Sequence, residues 1–194
     1  MIGAVNRARA VLTALVLVSA LGLAGCTDDD PEPKFAPPSS EPPESQSTTG
    51  ASDPTPPEMP QAAKGTDAAA AEAFVKFYWE TVNFAQATGD VEDLSRLSTK
   101  CVNCDNGIEF IKSVYSDGGT IDGGDGKPTH IETRFTNLQG EWWAIVDCTV
   151  ALTPQDVDAS GTEHDEHYAG GQRAIRMYLQ PSEGSWVVRT MSFR

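Results

Sequence analysis

Cys101-Val102-Asn103-Cys104 is a pair of thiols at a spacing that either closes a small disulfide ring or presents a redox-active thiolate. A redox role needs a strand–helix–strand setting, which the flanking residues do not offer, so a Cys101–Cys104 bridge is expected. Such a bridge would fasten a loop where it enters a helix, contributing about 2 kcal/mol for so short a ring. Cys148 lies between Val146 and Val150 and reads as a shielded thiol. Its bridging to one of the other two stays open as an alternative, since that depends on packing. Two further stretches could hold a cation: Thr162-Glu163-His164-Asp165-Glu166-His167-Tyr168, and Asp122-Gly123-Gly124-Asp125-Gly126. Neither forms a helical His-Glu-x-x-His pair or a complete calcium loop. Both, and His130 with them, are therefore expected to be solvated loop residues, and no metal or cofactor is expected.

Cys26 invites a different chemistry. Arg7 and Arg9 precede an apolar run from Ala10 to about Leu23, in the order of a secretory signal, and the run is too short for a confident membrane span. Leu23-Ala24-Gly25-Cys26 then resembles the lipobox of bacterial lipoproteins. That resemblance implies removal of residues 1–25 as a signal peptide and acylation of Cys26, palmitate-type chains included. Two or three chains on one residue would hold the protein to a membrane surface.

Beyond the cysteine the composition changes abruptly. Residues 27–63 contain ten of the thirteen prolines and eight acidic side chains against the single Lys34. Such a segment cannot bury enough apolar surface to offset its chain entropy. Residues 26–63 are thus expected to be a disordered tether, spanning roughly 30 Å as a coil and up to about 110 Å fully extended. The whole chain carries a net charge of −14. Loss of Arg7 and Arg9 with the signal leaves 28 acidic against 12 basic side chains, a net charge of −16. Nucleic acid would be repelled.

Residues 64–194 have the size of one domain. Phe74, Phe77, Tyr78, Thr81, Val82 and Ala85 recur at helical spacing, and Gly89 ends that helix. A short helix around Leu94 and a third carrying Ile108 and Ile111 follow, up to Gly118-Gly119. After Thr120 the period becomes two. Ile131, Thr133 and Phe135 alternate, and Trp142, Ala144, Val146, Cys148 and Val150 share one face while Trp143, Ile145, Asp147 and Thr149 share the other. A polar loop over residues 154–171 separates these from Ile175, Met177 and Leu179, and a last strand ends the chain. Helices first and antiparallel strands afterwards is the order of an α+β domain.

That order resembles the NTF2-like, or cystatin-like, α+β cone superfamily. The lipobox, the acidic tether, Ala-x-x-Phe-Val-x-x-Tyr-Trp and the CxxC resemble more narrowly a family of uncharacterised actinobacterial lipoproteins. The first resemblance implies three N-terminal helices packed on one curved antiparallel sheet of four to five strands, with a pocket between them. Tyr78, Trp79, Trp143, Asp147, Arg176 and Tyr178 would be its candidate lining. Some cone proteins isomerise or dehydrate small molecules there, and others only bind or assemble. Asp147, desolvated beside Trp143 and Ile145, could serve as a base. Its alternative role is a cross-strand ion pair with Arg134 or Arg176, and no histidine is placed to assist it. The expected function is a tethered binding or interaction module on the extracytoplasmic face of the cell membrane. Its partner would be an envelope protein or a small apolar ligand. An isomerase or hydrolase using Asp147 is the alternative.

Overall fold

Helix α1, Ala68–Thr88, starts where the Asp67 carboxylate accepts a hydrogen bond from the Ala70 N–H at 2.8 Å, satisfying one of the free donors of a helix N-terminus. It stops at Gly89, whose backbone is left-handed at φ 77°. A side chain at Gly89 would strike the Tyr115 ring, so glycine serves both the cap and the packing. The computed structural model describes residues 54–160 and 165–194. All of these lie in the second of the chain's two units, Thr48–Arg194. The expected signal, the lipidated Cys26 and most of the expected tether lie outside the described residues, as does His164.

Two shorter helices follow, α2 at Glu92–Leu97 and α3 at Val102–Ser116. The apolar stripe of α1 (Phe74, Val75, Tyr78, Trp79) and that of α3 (Ile108, Ile111, Val114) enter one core. The strands are β1 Thr120–Gly123, β2 Gly126–Leu138, β3 Glu141–Leu152, β4 Gln155–Asp158, β5 Glu166–Tyr168, β6 Gly171–Ser182 and β7 Ser185–Phe193. They make a four-stranded sheet in the order β2-β3-β6-β7 and a three-stranded sheet in the order β1-β4-β5. All pairings are antiparallel.

This architecture overturns the expected cone of three helices on one curved sheet of four to five strands. Among the described residues seven strands form two sheets. The difference lies in the stretch read as a polar loop. Residues 155–158 and 166–168 pair with each other, and Thr120–Gly123 pairs with the first of them. Their pattern is invisible to period-two reading, because Val157 is the one buried side chain of β4 and β5 has none.

In the four-stranded sheet one face is closed. Ala144, Val146 and Val150 of β3 and Met177 and Leu179 of β6 are fully buried beneath the helices. The opposite face, carrying Trp143, Ile145, Asp147, Arg176 and Tyr178, is only partly buried. The packed chain also reaches upstream of residue 64. Ala63 is buried, its carbonyl accepts from Ser185 Oγ at 2.7 Å, and the Gly65 N–H donates to the Gly184 carbonyl at 2.7 Å.

Candidate functional site

Asp147 faces Arg176 across the β3–β6 ladder, and residues opposite each other in such a ladder share a sheet face. Arg176 donates from Nε to Oδ1 at 2.7 Å and from Nη2 to Oδ2 at 2.9 Å, a bidentate pair. Arg134 adds a bond to Oδ2 at 2.5 Å, and Arg194 one to Oδ1 at 3.2 Å. The Arg176 hydrogen bonds, followed by those of Arg134, hold the carboxyl well below the usual carboxylate range against an opposing desolvation effect. A carboxylate so stabilised is a poor proton acceptor near neutral pH. Asp147 is an ion-pair hub, and the geometry gives the alternative reading of it as a base no support.

The six candidate pocket residues do not meet. Trp143, Asp147, Arg176 and Tyr178 lie on the outer sheet face, while Tyr78 and Trp79 are buried on α1 against the inner face. None of the five principal clefts is lined by any of the outer four. Burial pushes the Tyr78 phenol well above its ordinary range, with its Ser98 partner acting the other way. Tyr78 is thereby a core residue with a satisfied hydroxyl.

Of the six, Trp79 alone lines the larger of two adjoining clefts beside α1, and Tyr78 joins it in the smaller. A groove of about 530 Å³ runs between α1, the end of β3, β5 and the ends of β6 and β7. Its apolar wall is Trp79, Val82, Leu152, Tyr168 and Phe193, and Gln86, Gln155, His167 and Arg173 supply polar groups. A smaller cleft of about 200 Å³ toward α3 shares Trp79, Val82, Gln86 and Gln155 with it, so these four lie between the two.

The groove owes its shape to one side of α1. The Asn83 amide donates to the Gly126 carbonyl at 3.1 Å and accepts from the Gly126 N–H at 2.8 Å, doing for the start of β2 what a neighbouring strand would do. Gln86 donates to the Gly124 carbonyl at 3.4 Å and accepts from Gln155 Nε2 at 2.6 Å. Trp79 lies flat on Gly126, where an added Cβ would come within 2.4 Å of the indole ring. Its indole N–H is enclosed and has no hydrogen-bond partner among the described residues. Asn83, Gln86, Gln155, Arg173, Tyr168 and Phe193 were not singled out from the sequence. The available signal was Asn83 and Gln86, two amides three residues apart beside an apolar helical stripe.

The cysteines fall as expected. Cys101 and Cys104 are joined, with Cα atoms 5.2 Å apart, at the N-terminus of α3. Cys148 is free and buried, and burial, then the nearby Asp147 charge, pushes its thiol up to about 11. Among the described residues no three His, Cys, Asp or Glu side chains converge as a metal site. His167 instead pairs with Asp156 at 2.6 Å, Tyr168 bonds Glu166, and Asp122 sits on β1 opposite Asp156. His130 occupies the irregularity in β2, with φ 49°.

A family model described as "Family of unknown function (DUF6318)" matches residues 44–192. No curated protein matches the chain. Among solved structures, the intermembrane space region of the chloroplast protein ARC6 is similar at 16% identity and a TM-score of 0.49, over 66% of this chain and 96% of that one. A Xanthomonas campestris protein described as a calcium/calmodulin dependent protein kinase II association domain is similar at 13% identity and a TM-score of 0.38, over 74% of this chain and 95% of that one.

Proposed function

The chain belongs to the DUF6318 family of unknown function, and from that premise we propose that it is a lipid-anchored binding module of the cell envelope. In this reading Cys26 carries the acyl chains on the extracytoplasmic face of the membrane. The residues between Cys26 and the packed chain that begins upstream of Met59 act as the spacer, and the domain holds a small ligand with a substantial apolar body. The anchor is supported by Arg7 and Arg9, the apolar run and Leu23-Ala24-Gly25-Cys26 in that order.

The observation that carries the binding role is the groove at Trp79. Its volume of about 530 Å³ falls within the range of small-molecule sites, roughly 300–1,000 Å³, and its wall is mostly apolar with a few polar groups at defined places. Among the described residues its lining has no hydrogen-bonded pairing of a nucleophile with a base, and Asp147 lies on the other side of the sheet. Binding without turnover is the activity this arrangement supports.

A photo-crosslinking residue at Val82, in the groove, compared with one at Thr136, on the outer face, tests this in intact cells. An adduct of defined mass on the Val82 protein and none on the Thr136 protein is expected. Equal labelling at both positions, or none at Val82, would count against the groove as the functional site.

A further inference from the structure

The groove differs in charge from the rest of the molecule. The chain has 28 acidic side chains against 14 basic ones, yet among the described residues no Asp or Glu lines this groove, and the two carboxylates nearest it, Asp156 and Glu166, are bonded to His167 and Tyr168. The neighbouring open cleft, by contrast, is lined by Lys76, Glu80, Asp125 and Lys127, two of each sign. The one arginine in the groove, Arg173, has no carboxylate partner among the described residues. Its single described bond is from Nη1 to the Gln172 carbonyl at 3.2 Å. A guanidinium has five N–H donors, so most of its donor capacity is uncommitted. Two large rings at the rim, Tyr168 and Phe193, are 46% and 62% exposed.

We infer that the groove takes an amphipathic monoanion: a carboxylate or sulfonate head paired with Arg173, and an apolar body laid against Trp79, Val82, Leu152, Tyr168 and Phe193. This rests on the binding reading above and adds the ligand's charge class. An anionic head is the complement of a guanidinium that no described carboxylate holds. The exposed rings supply apolar area that only an apolar body would cover. A neutral ligand would leave Arg173 as it is, and a cation would meet its charge.

Two probes with the same body separate these cases. 1-Anilinonaphthalene-8-sulfonate carries the anion and N-phenyl-1-naphthylamine lacks it. Fluorescence titration of the full-length protein at pH 7 should show the sulfonate binding about tenfold more tightly. Arg173→Gln should erase that preference and Arg173→Lys should retain much of it. Lys112→Gln, which removes one positive charge from exposed α3, should leave it unchanged. Equal affinity for both probes, or a preference that survives Arg173→Gln, overturns the anion assignment while leaving a binding groove in place. Failure of both probes to bind also overturns it, and the Val82 crosslink then decides the groove reading independently.

Discussion

Asp147 and Arg176 sit directly opposite each other on β3 and β6 and are joined by two hydrogen bonds of 2.7 and 2.9 Å, on a carboxylate that Arg134 and Arg194 also reach. The arrangement ties three places in the sheet together: β2, β6 and the residue after β7. It makes Asp147 a structural residue whose removal has a signed pH dependence.

Asp147→Asn should destabilise the protein at pH 7 by on the order of 1 kcal/mol, a figure discounted because Arg134 and Arg194 are about half exposed. The folded pKa lies below the unfolded one, so this stabilisation is fully present above the unfolded value of about 3.9. It begins to fade as pH falls past that value and is lost as pH falls through the folded one. Thermal melts of both proteins from pH 7 down to 2.5 check this: the difference should be constant from pH 7 to 5 and shrink below about 4. A difference that grew on acidification would contradict the ion-pair role.

Peptide mapping of the unreduced protein should find Cys101 linked to Cys104 and Cys148 as a thiol. Cys148 should resist alkylation until the protein is denatured, because it is buried and its thiol is pushed up to about 11. The double Cys101→Ser, Cys104→Ser variant should lose about 2 kcal/mol in denaturant unfolding.

Gly126→Ala would place a methyl group within 2.4 Å of the Trp79 ring, and the indole would have to move. A cost of about 1–3 kcal/mol is expected from the overpacking. Trp79 also forms the groove wall, so probe binding in the groove should fall with stability. Normal binding at a lowered melting temperature would separate Trp79 from the ligand.

Cys26→Ser should abolish labelling by a radioactive or clickable fatty acid and release the protein from membranes. Retained labelling and unchanged membrane partition would remove the anchor from the proposal.

Limited proteolysis should leave a core that begins upstream of Met59, not at residue 64. Met59 packs on the core, Ala63 is fully buried and Ser185 Oγ holds the Ala63 carbonyl. N-terminal sequencing of the stable fragment reads the boundary directly.

Elements whose side chains repeat at the period of their own backbone could be read before folding. Phe74 and Tyr78 on α1, Ile108 and Ile111 on α3, and Val146, Cys148 and Val150 on β3 are all buried as their spacing implies. The short strands could not. Thr120–Gly123, Gln155–Asp158 and Glu166–Tyr168 are held mainly by backbone pairing with one another, and each of the first two buries a single apolar side chain, Ile121 and Val157, too little for a period to show. Missing them turned two sheets into one. The candidate pocket failed for a related reason. Alternation correctly placed Trp143, Ile145 and Asp147 together, but both faces of β3 carry apolar residues, so the pattern did not say which face the helices cover. The groove was less legible still, since Trp79, Leu152, Tyr168, Arg173 and Phe193 come from five separate elements or their ends.

The stitching of residues 63 and 65 to the β6–β7 turn also has a mechanical meaning. Tension on the chain upstream of residue 60 would not fall on the end of α1 alone. It would load the Ser185–Ala63 and Gly65–Gly184 hydrogen bonds, and through them the hairpin that closes one edge of the four-stranded sheet. A domain held by its N-terminal side is thereby gripped at its sheet as well as at α1, against which residues 61–63 pack.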